Sequence, residues 1–156
     1  MSVKITEKSQ VQNLILDKYD YFLFDCDGVL WLGDHLLPSI GEALDYLKQQ
    51  NKTVIFVTNN STKSRTDYLS KFNKMGISNI TKLEIFGSSF ASAVYVEKIL
   101  KLPKDKKVWV LGEEGIEKEL HELGYSTVGG TDPKLVKEGV KFDPVSYTHL
   151  TLPTIC

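Results

Sequence analysis

The sequence predicts an α/β fold built on a largely parallel sheet. Two observations carry this. Short apolar runs rich in β-branched and aromatic residues alternate with segments whose apolar residues recur at helical spacing. Each short run also ends in a polar or glycine-containing turn, at 25–28, 58–61, 87–89 and 112. Alternating strands and helices favour parallel pairing. In open α/β sheets, ligands sit beyond the carboxyl ends of the strands.

Val11, Leu14 and Ile15 are placed to face a core from a short first helix. Tyr21-Phe22-Leu23-Phe24 reads as a strand buried on both faces, ending at Asp25-Cys26-Asp27-Gly28. Ser39 followed by Glu42 is a capping-box pattern, and Ile40, Ala43, Leu44 and Leu47 then share one helix face. Thr53–Val57 is the second strand, ending in Thr58-Asn59-Asn60-Ser61. The next helix turns Tyr68, Leu69, Phe72 and Met75 inward and stops at Gly76. Ile85-Phe86 leads into Gly87-Ser88-Ser89 and a helix carrying Ala93, Val94, Glu97 and Leu100. Lys107–Leu111 is a further strand, followed by Gly112 and a helix with Ile116, Leu120 and Leu123 that closes at Gly124. From Gly129 onward no further strand-helix unit is expected.

Composition limits the function classes. The chain has 156 residues, 19 Lys+Arg against 20 Asp+Glu, and a formal net charge of -1. This balance gives no general electrostatic reason to bind nucleic acid or an anionic membrane. With 42% hydrophobic and 25% charged residues the chain is in the globular range. No apolar run reaches the ~18 residues of a membrane span. The N-terminus lacks an apolar signal core, and Cys26 and Cys156 make no disulfide framework. The expectation is a soluble intracellular protein, cytoplasmic with the nucleus as the alternative.

Two constellations carry chemistry. In Asp25-Cys26-Asp27-Gly28, two carboxylates two apart at a strand end can point to the same side of an extended chain. One can attack an electrophile while the other handles protons. Both can share a Mg²⁺, which prefers oxygen ligands. The structural alternative is that Asp and Gly simply end a strand. In Thr58-Asn59-Asn60-Ser61, a hydroxyl and amides before a helix can cradle an oxyanion. The structural alternative there is a helix cap.

Taken together, the two constellations, about 30 residues apart, resemble the first and second motifs of the haloacid dehalogenase (HAD) superfamily of phosphohydrolases. The extended match, from about residue 10 to about residue 143, is similar to the 4-nitrophenylphosphatase and phosphoglycolate phosphatase branch, and most like its fungal 4-nitrophenylphosphatases. It includes Phe90–Tyr95 and Val108–Gly112. The resemblance implies a Rossmann-like parallel-sheet core and a Mg²⁺-dependent hydrolase of small phosphate monoesters. Asp25 would be the nucleophile that forms an aspartyl-phosphate. Asp27 would act as acid, then base. The Asp25 carboxylate and the Asp27 backbone carbonyl would be Mg²⁺ ligands. Thr58 would bind the phosphoryl group, helped by Asn59 and Asn60. A homodimer is an option for the full-length enzyme.

The family also has a later phosphoryl-contacting Lys, and a Gly-Asp pair with a downstream Asp. No matching context is evident after residue 61: Lys106-Lys107 precedes a strand, and Gly130-Thr131-Asp132 lacks an apolar strand before it. The resemblance therefore implies an incomplete core, with its C-terminal part and most or all of the cap domain missing, in a chain inactive alone. Residues 145–156 contain no Asp, Glu, Lys or Arg. They resemble no part of the family and look like one frame of a transposon-type sequencing adapter. Residues 1–144 are thus expected to be the native part. The alternatives are a non-catalytic phosphate- or Mg²⁺-binding remnant and, more weakly, a receiver-type domain phosphorylated on Asp25.

Other residues take structural expectations. Cys26 is a small packing residue, with a redox switch as the alternative. Trp31 and Leu32 pack in a flap after the first motif. His35 and His121 lie on the surface, and Lys104–Lys107 form a solvated loop. Arg65, the sole arginine, is expected to orient the helix after Thr58–Ser61.

Overall fold

A computed structural model describes residue 4 and residues 6–132. The boundary expected at 144 and the tail 145–156 lie outside the described residues. The elements run α1 (Lys8–Val11, widening into a π-helical turn at Gln12–Leu16), β1 (Tyr21–Asp25), β2 (Trp31–Leu32), β3 (His35–Leu36), α2 (Ile40–Gln49), β4 (Thr53–Thr58) and α3 (Arg65–Lys74). There follow β5 (Ile85–Gly87), α4 (Ser88–Val94, with a π-helical turn at Tyr95–Ile99), β6 (Lys107–Val110), α5 (Glu114–Glu122) and β7 (Ser126–Gly129).

The parallel α/β expectation holds, with a division. β1, β4 and β5 form one parallel sheet with β4 in the middle. β6 and β7 pair in parallel as a second sheet. Strand β7 was not evident in the sequence: Ser126-Thr127-Val128-Gly129 is short and largely polar. Gly130-Thr131-Asp132 therefore does follow a strand, but one of the second sheet.

Five local expectations are corrected. β1 is not buried on both faces: Phe22 and Phe24 pack on the core, whereas Tyr21 is 67% and Leu23 65% exposed. Among the described residues β1 has β4 alone beside it, and the core lies on its phenylalanine side. The first helix buries Leu16 and exposes Leu14, because the π-helical turn shifts the apolar face by a fraction of a turn. Ser39 makes no capping bond; it sits in the left-handed region at φ 63°, which turns its hydroxyl off the helix start. Leu44 and Leu47 of α2 are buried as expected, but Ala43 is exposed. On the helix after β5, Ala93 is buried and Leu100 is exposed.

The main core joins Trp31, Phe56, Tyr68 and Phe72 with Leu16, Leu44 and Val54. Trp31 and Phe56 both contact Phe72, with ring centroids 5.1 and 4.7 Å apart. Val54, Phe56 and Thr58 alternate into this core along β4, as a strand with one covered face requires. A smaller core of Ala93, Val110, Leu120 and Tyr125 lies under β6 and α5. Among the described residues, no helix is long and apolar enough to cross a membrane.

Candidate active site

The parallel register positions the site. Asp25 is opposite Val57 and Thr58 is opposite Gly87. Asp25, Thr58 and Gly87 therefore end three adjacent strands at one edge of the sheet. The chain leaves β1 through a tight turn in which Gly28, at φ 81°, donates its N–H to the Trp31 carbonyl at 2.8 Å. That turn returns Trp31 beside Asp27. The Trp31 indole Nε1–H donates to Asp27 Oδ1 at 2.7 Å. Trp31 is fully buried, so it fixes this carboxylate from below. Its neighbour Leu32 is exposed on the β2–β3 hairpin instead of packing.

Asp25 and Asp27 are both exposed. Asp25 Oδ1 accepts the Cys26 N–H at 2.8 Å. The other oxygen of each carboxylate has no protein partner among the described residues. Cys26 between them is fully buried. Burial, reinforced by the charges of Asp27 and Asp25, pushes its thiol up to about 12. A buried, protonated thiol is a poor nucleophile and a poor oxidation target. The packing role stands and the redox switch has no support.

Thr58 is buried at the end of β4, and its Oγ1 accepts the Asn60 N–H at 3.2 Å. Asn60 Oδ1 accepts from the Thr62 N–H and hydroxyl at 2.9 and 2.7 Å. Asn60 therefore shapes the loop, while the exposed Asn59 side chain has no protein partner among the described residues. The turn after β5 braces the same loop. Ser88 donates to the Asn59 carbonyl and the buried Ser89 donates to the Lys63 carbonyl, each at 2.8 Å. The serines of 87–89 are thus committed to backbone carbonyls.

Three supports were not evident in the sequence. Gly115 of α5 lies against the loop so closely that a Cβ there would sit 2.5 Å from the Lys63 carbonyl carbon and 2.6 Å from the Ser61 oxygen. Ser64 and Asp67 form a complete capping box at the start of α3. Glu119 of α5, fully buried, binds Arg65 through the backbone N–H at 2.6 Å, Nε at 3.0 and 3.2 Å and Nη2 at 2.9 Å. The Arg65 guanidinium also lies 3.4 Å over the Phe90 ring. Arg65 does orient the helix, and it does so through Glu119. The pair Arg65–Glu119 is 54 residues apart in sequence, so no local pattern announces it.

A groove of about 300 Å³ adjoins the loop, lined by Lys63, Lys71, Lys74 and Lys118 with Asp34, Asp67 and Glu114 among others. It includes Thr62 and Lys63 but not Asp25, Asp27 or Thr58. His35 and His121 are on the surface; His121 Nε2 lies 2.8 Å from Thr127 Oγ1.

The family model of the haloacid dehalogenase-like hydrolases matches residues 22–126, which span β1 to the start of β7. The chain belongs to that family. This haloacid dehalogenase-like chain is 51% identical over 136 residues to the 4-nitrophenylphosphatase of Schizosaccharomyces pombe, covering 86% of itself and 45% of that relative. It is 46% identical over 132 residues to phosphoglycolate phosphatase 2 of Arabidopsis thaliana, covering 85% of itself and 43% of that relative. Among solved structures it resembles 4-nitrophenylphosphatase from Thermotoga maritima, with a TM-score of 0.64, 30% identity, and coverage of 79% of this chain and 49% of that one. The chain spans less than half the length of the curated relatives it matches.

Proposed function

We propose that this chain carries the nucleophile and phosphate-binding loop of a Mg²⁺-dependent phosphomonoester hydrolase. One observation carries the reading. At the carboxyl edge of the sheet, two exposed carboxylates each keep an oxygen that the fold does not use, next to a strand ending in a hydroxyl-and-amide loop.

Asp25 attacks phosphorus and the bond to the leaving oxygen breaks, giving an aspartyl-phosphate. Asp27, protonated at this stage, gives its proton to the leaving oxygen. It then takes a proton from the water that attacks phosphorus, and Asp25 is released with inorganic phosphate. Trp31 holds Asp27 at one oxygen, so the other is the one that moves the proton. Thr58 and the Asn59 amide meet the phosphoryl oxygens, with Asn60 setting the loop.

The donor chemistry fits Mg²⁺: the Asp25 carboxylate and the Asp27 backbone carbonyl are hard oxygen donors from one strand end. When bound, the ion offsets the repulsion between carboxylate and phosphate. The printed names of the relatives, 4-nitrophenylphosphatase and phosphoglycolate phosphatase, support small monoesters as substrates: a metabolite such as 2-phosphoglycolate, with an aryl phosphate as a surrogate. In a protein with the full length of those relatives, Asp25→Asn is expected to lower turnover by ~10³-fold or more while partly keeping phosphate binding. Normal turnover in that variant overturns the assignment.

A second reading concerns the 156-residue chain by itself, as a phosphate- or Mg²⁺-binding unit without turnover. It is favoured because the chain spans less than half the length of the curated relatives it matches. Aryl phosphate hydrolysis by this chain, lost in Asp25→Asn, would remove it.

A further inference from the structure

Among the described residues, one buried polar side-chain atom lacks a hydrogen-bond partner, the Tyr68 hydroxyl. Tyr68 is 2% exposed. Other buried polar groups are served: Ser64 by Asp67, Ser89 by the Lys63 carbonyl, Glu119 by Arg65. An unpaired buried hydroxyl is unfavourable, and Phe in this place would avoid that cost.

The location of the phenol gives it a use. Tyr68 comes from α3 and stacks on Trp31, with ring centroids 6.3 Å apart and an interplanar angle of 23°. Trp31 is the residue that holds Asp27. The Thr58 hydroxyl is close enough to act on the phenol, and the charges of Asp27 and Asp25 reach it. The two hydroxyls are nevertheless not aligned as a bond. Burial, opposed by Thr58 and reinforced by Asp27, keeps the phenol protonated, pushed up to about 12. A neutral phenol can donate one hydrogen bond as well as accept.

Thr58 Oγ1 has two lone pairs and one hydrogen. One lone pair accepts the Asn60 N–H. Among the described residues, the Asn60 N–H is the one aligned hydrogen bond of the Thr58 hydroxyl. We infer that Tyr68 is a positioning residue for phosphoryl binding: its hydroxyl donates to the second lone pair of Thr58 when the loop is occupied, which aims the Thr58 hydrogen at a phosphoryl oxygen. Tyr68 itself touches no substrate. The inference rests on the reading of Thr58 as a phosphoryl ligand.

A double-mutant cycle in a full-length enzyme tests it, with an aryl phosphate as substrate and inorganic phosphate as competing ligand. Tyr68→Phe keeps the ring on Trp31 and is expected to fold with an equal or higher melting temperature. Its kcat/KM should fall about tenfold and phosphate inhibition should weaken in parallel. In a Thr58→Val background the same substitution should have no further effect, which a general packing role would not produce. Equal effects in both backgrounds, or unchanged kinetics in Tyr68→Phe, overturn the inference and leave the function standing. If Thr58→Val keeps full phosphate affinity, the phosphoryl-ligand reading falls and the inference falls with it.

Discussion

Two acidic regions of this molecule are built on opposite terms. Glu119, at the seam between α3 and α5, is fully buried, and both its oxygens are spent on Arg65. Asp25 and Asp27, at the sheet edge, are exposed, and each keeps an oxygen without a protein partner among the described residues. A carboxylate taken out of water must have all its acceptors filled, or the structure fails. One left at a rim with an acceptor open contributes little to folding and is available to a ligand. The seam is therefore a structural acid site, and the edge is where the proposed function places the chemistry, although sequence shows the same residue chemistry in both.

The sharpest break is Arg65→Ala. It strands the Glu119 carboxylate in the core and removes the cover on Phe90. The expected loss is about 3–5 kcal/mol, read as a lower urea midpoint. Lys in place of Arg should not restore it, because one ammonium cannot reproduce the fork of donors on Glu119. A midpoint unchanged in Arg65→Ala would erase the contrast between the two regions.

Gly115→Ala acts on the same seam from the other side. Its methyl would meet the loop backbone at Ser61 and Lys63. Overpacking here should cost about 1–3 kcal/mol and displace the loop after β4, so, if the proposed function holds, phosphate affinity should fall with stability. A stable variant with intact affinity would show that α5 does not set the loop.

The smallest effect concerns Ser64→Ala, which opens the capping box of α3 and should cost about 1 kcal/mol. Burial raises the affinity of Asp67 for its proton, but the Ser64 hydroxyl and N–H and the Lys118 ammonium outweigh this and hold the group below its ordinary range. Its folded value is depressed, so its contribution is present above the unfolded value of about 3.9. That contribution fades as pH falls through the folded value. In Ser64→Ala the acid-side loss of stability should flatten, as measured by thermal melts between neutral pH and about pH 3.

The candidate site was legible in the sequence as two strand ends because each half is contiguous. Asp25-Cys26-Asp27-Gly28 follows one apolar run and Thr58-Asn59-Asn60-Ser61 follows another. The paired strand ends then needed only a parallel register. The structural acid site was not legible: Glu119 sits on a helix whose pattern reads as solvated charge, and its partner lies on another helix. The capping motif misled for a related reason. Ser39 and Glu42 have the right spacing, but the left-handed backbone at Ser39 defeats it. Ser64 and Asp67 make the box with the shorter acid. The bare face of β1 was hidden too, since Tyr21 and Leu23 look like core in any local window.

The indole bond between Trp31 and Asp27 also makes the molecule its own spectroscopic probe. There are two tryptophans; Trp109 is 66% exposed, whereas Trp31 is enclosed and joined to the Asp27 carboxylate. The indole N–H resonance of Trp31 should therefore stand apart from that of Trp109 in a proton–nitrogen spectrum. It should move when the Asp27 carboxylate gains a new partner, with the Trp109 signal as an internal reference. The surroundings of Asp27 can thus be followed directly, without a turnover assay.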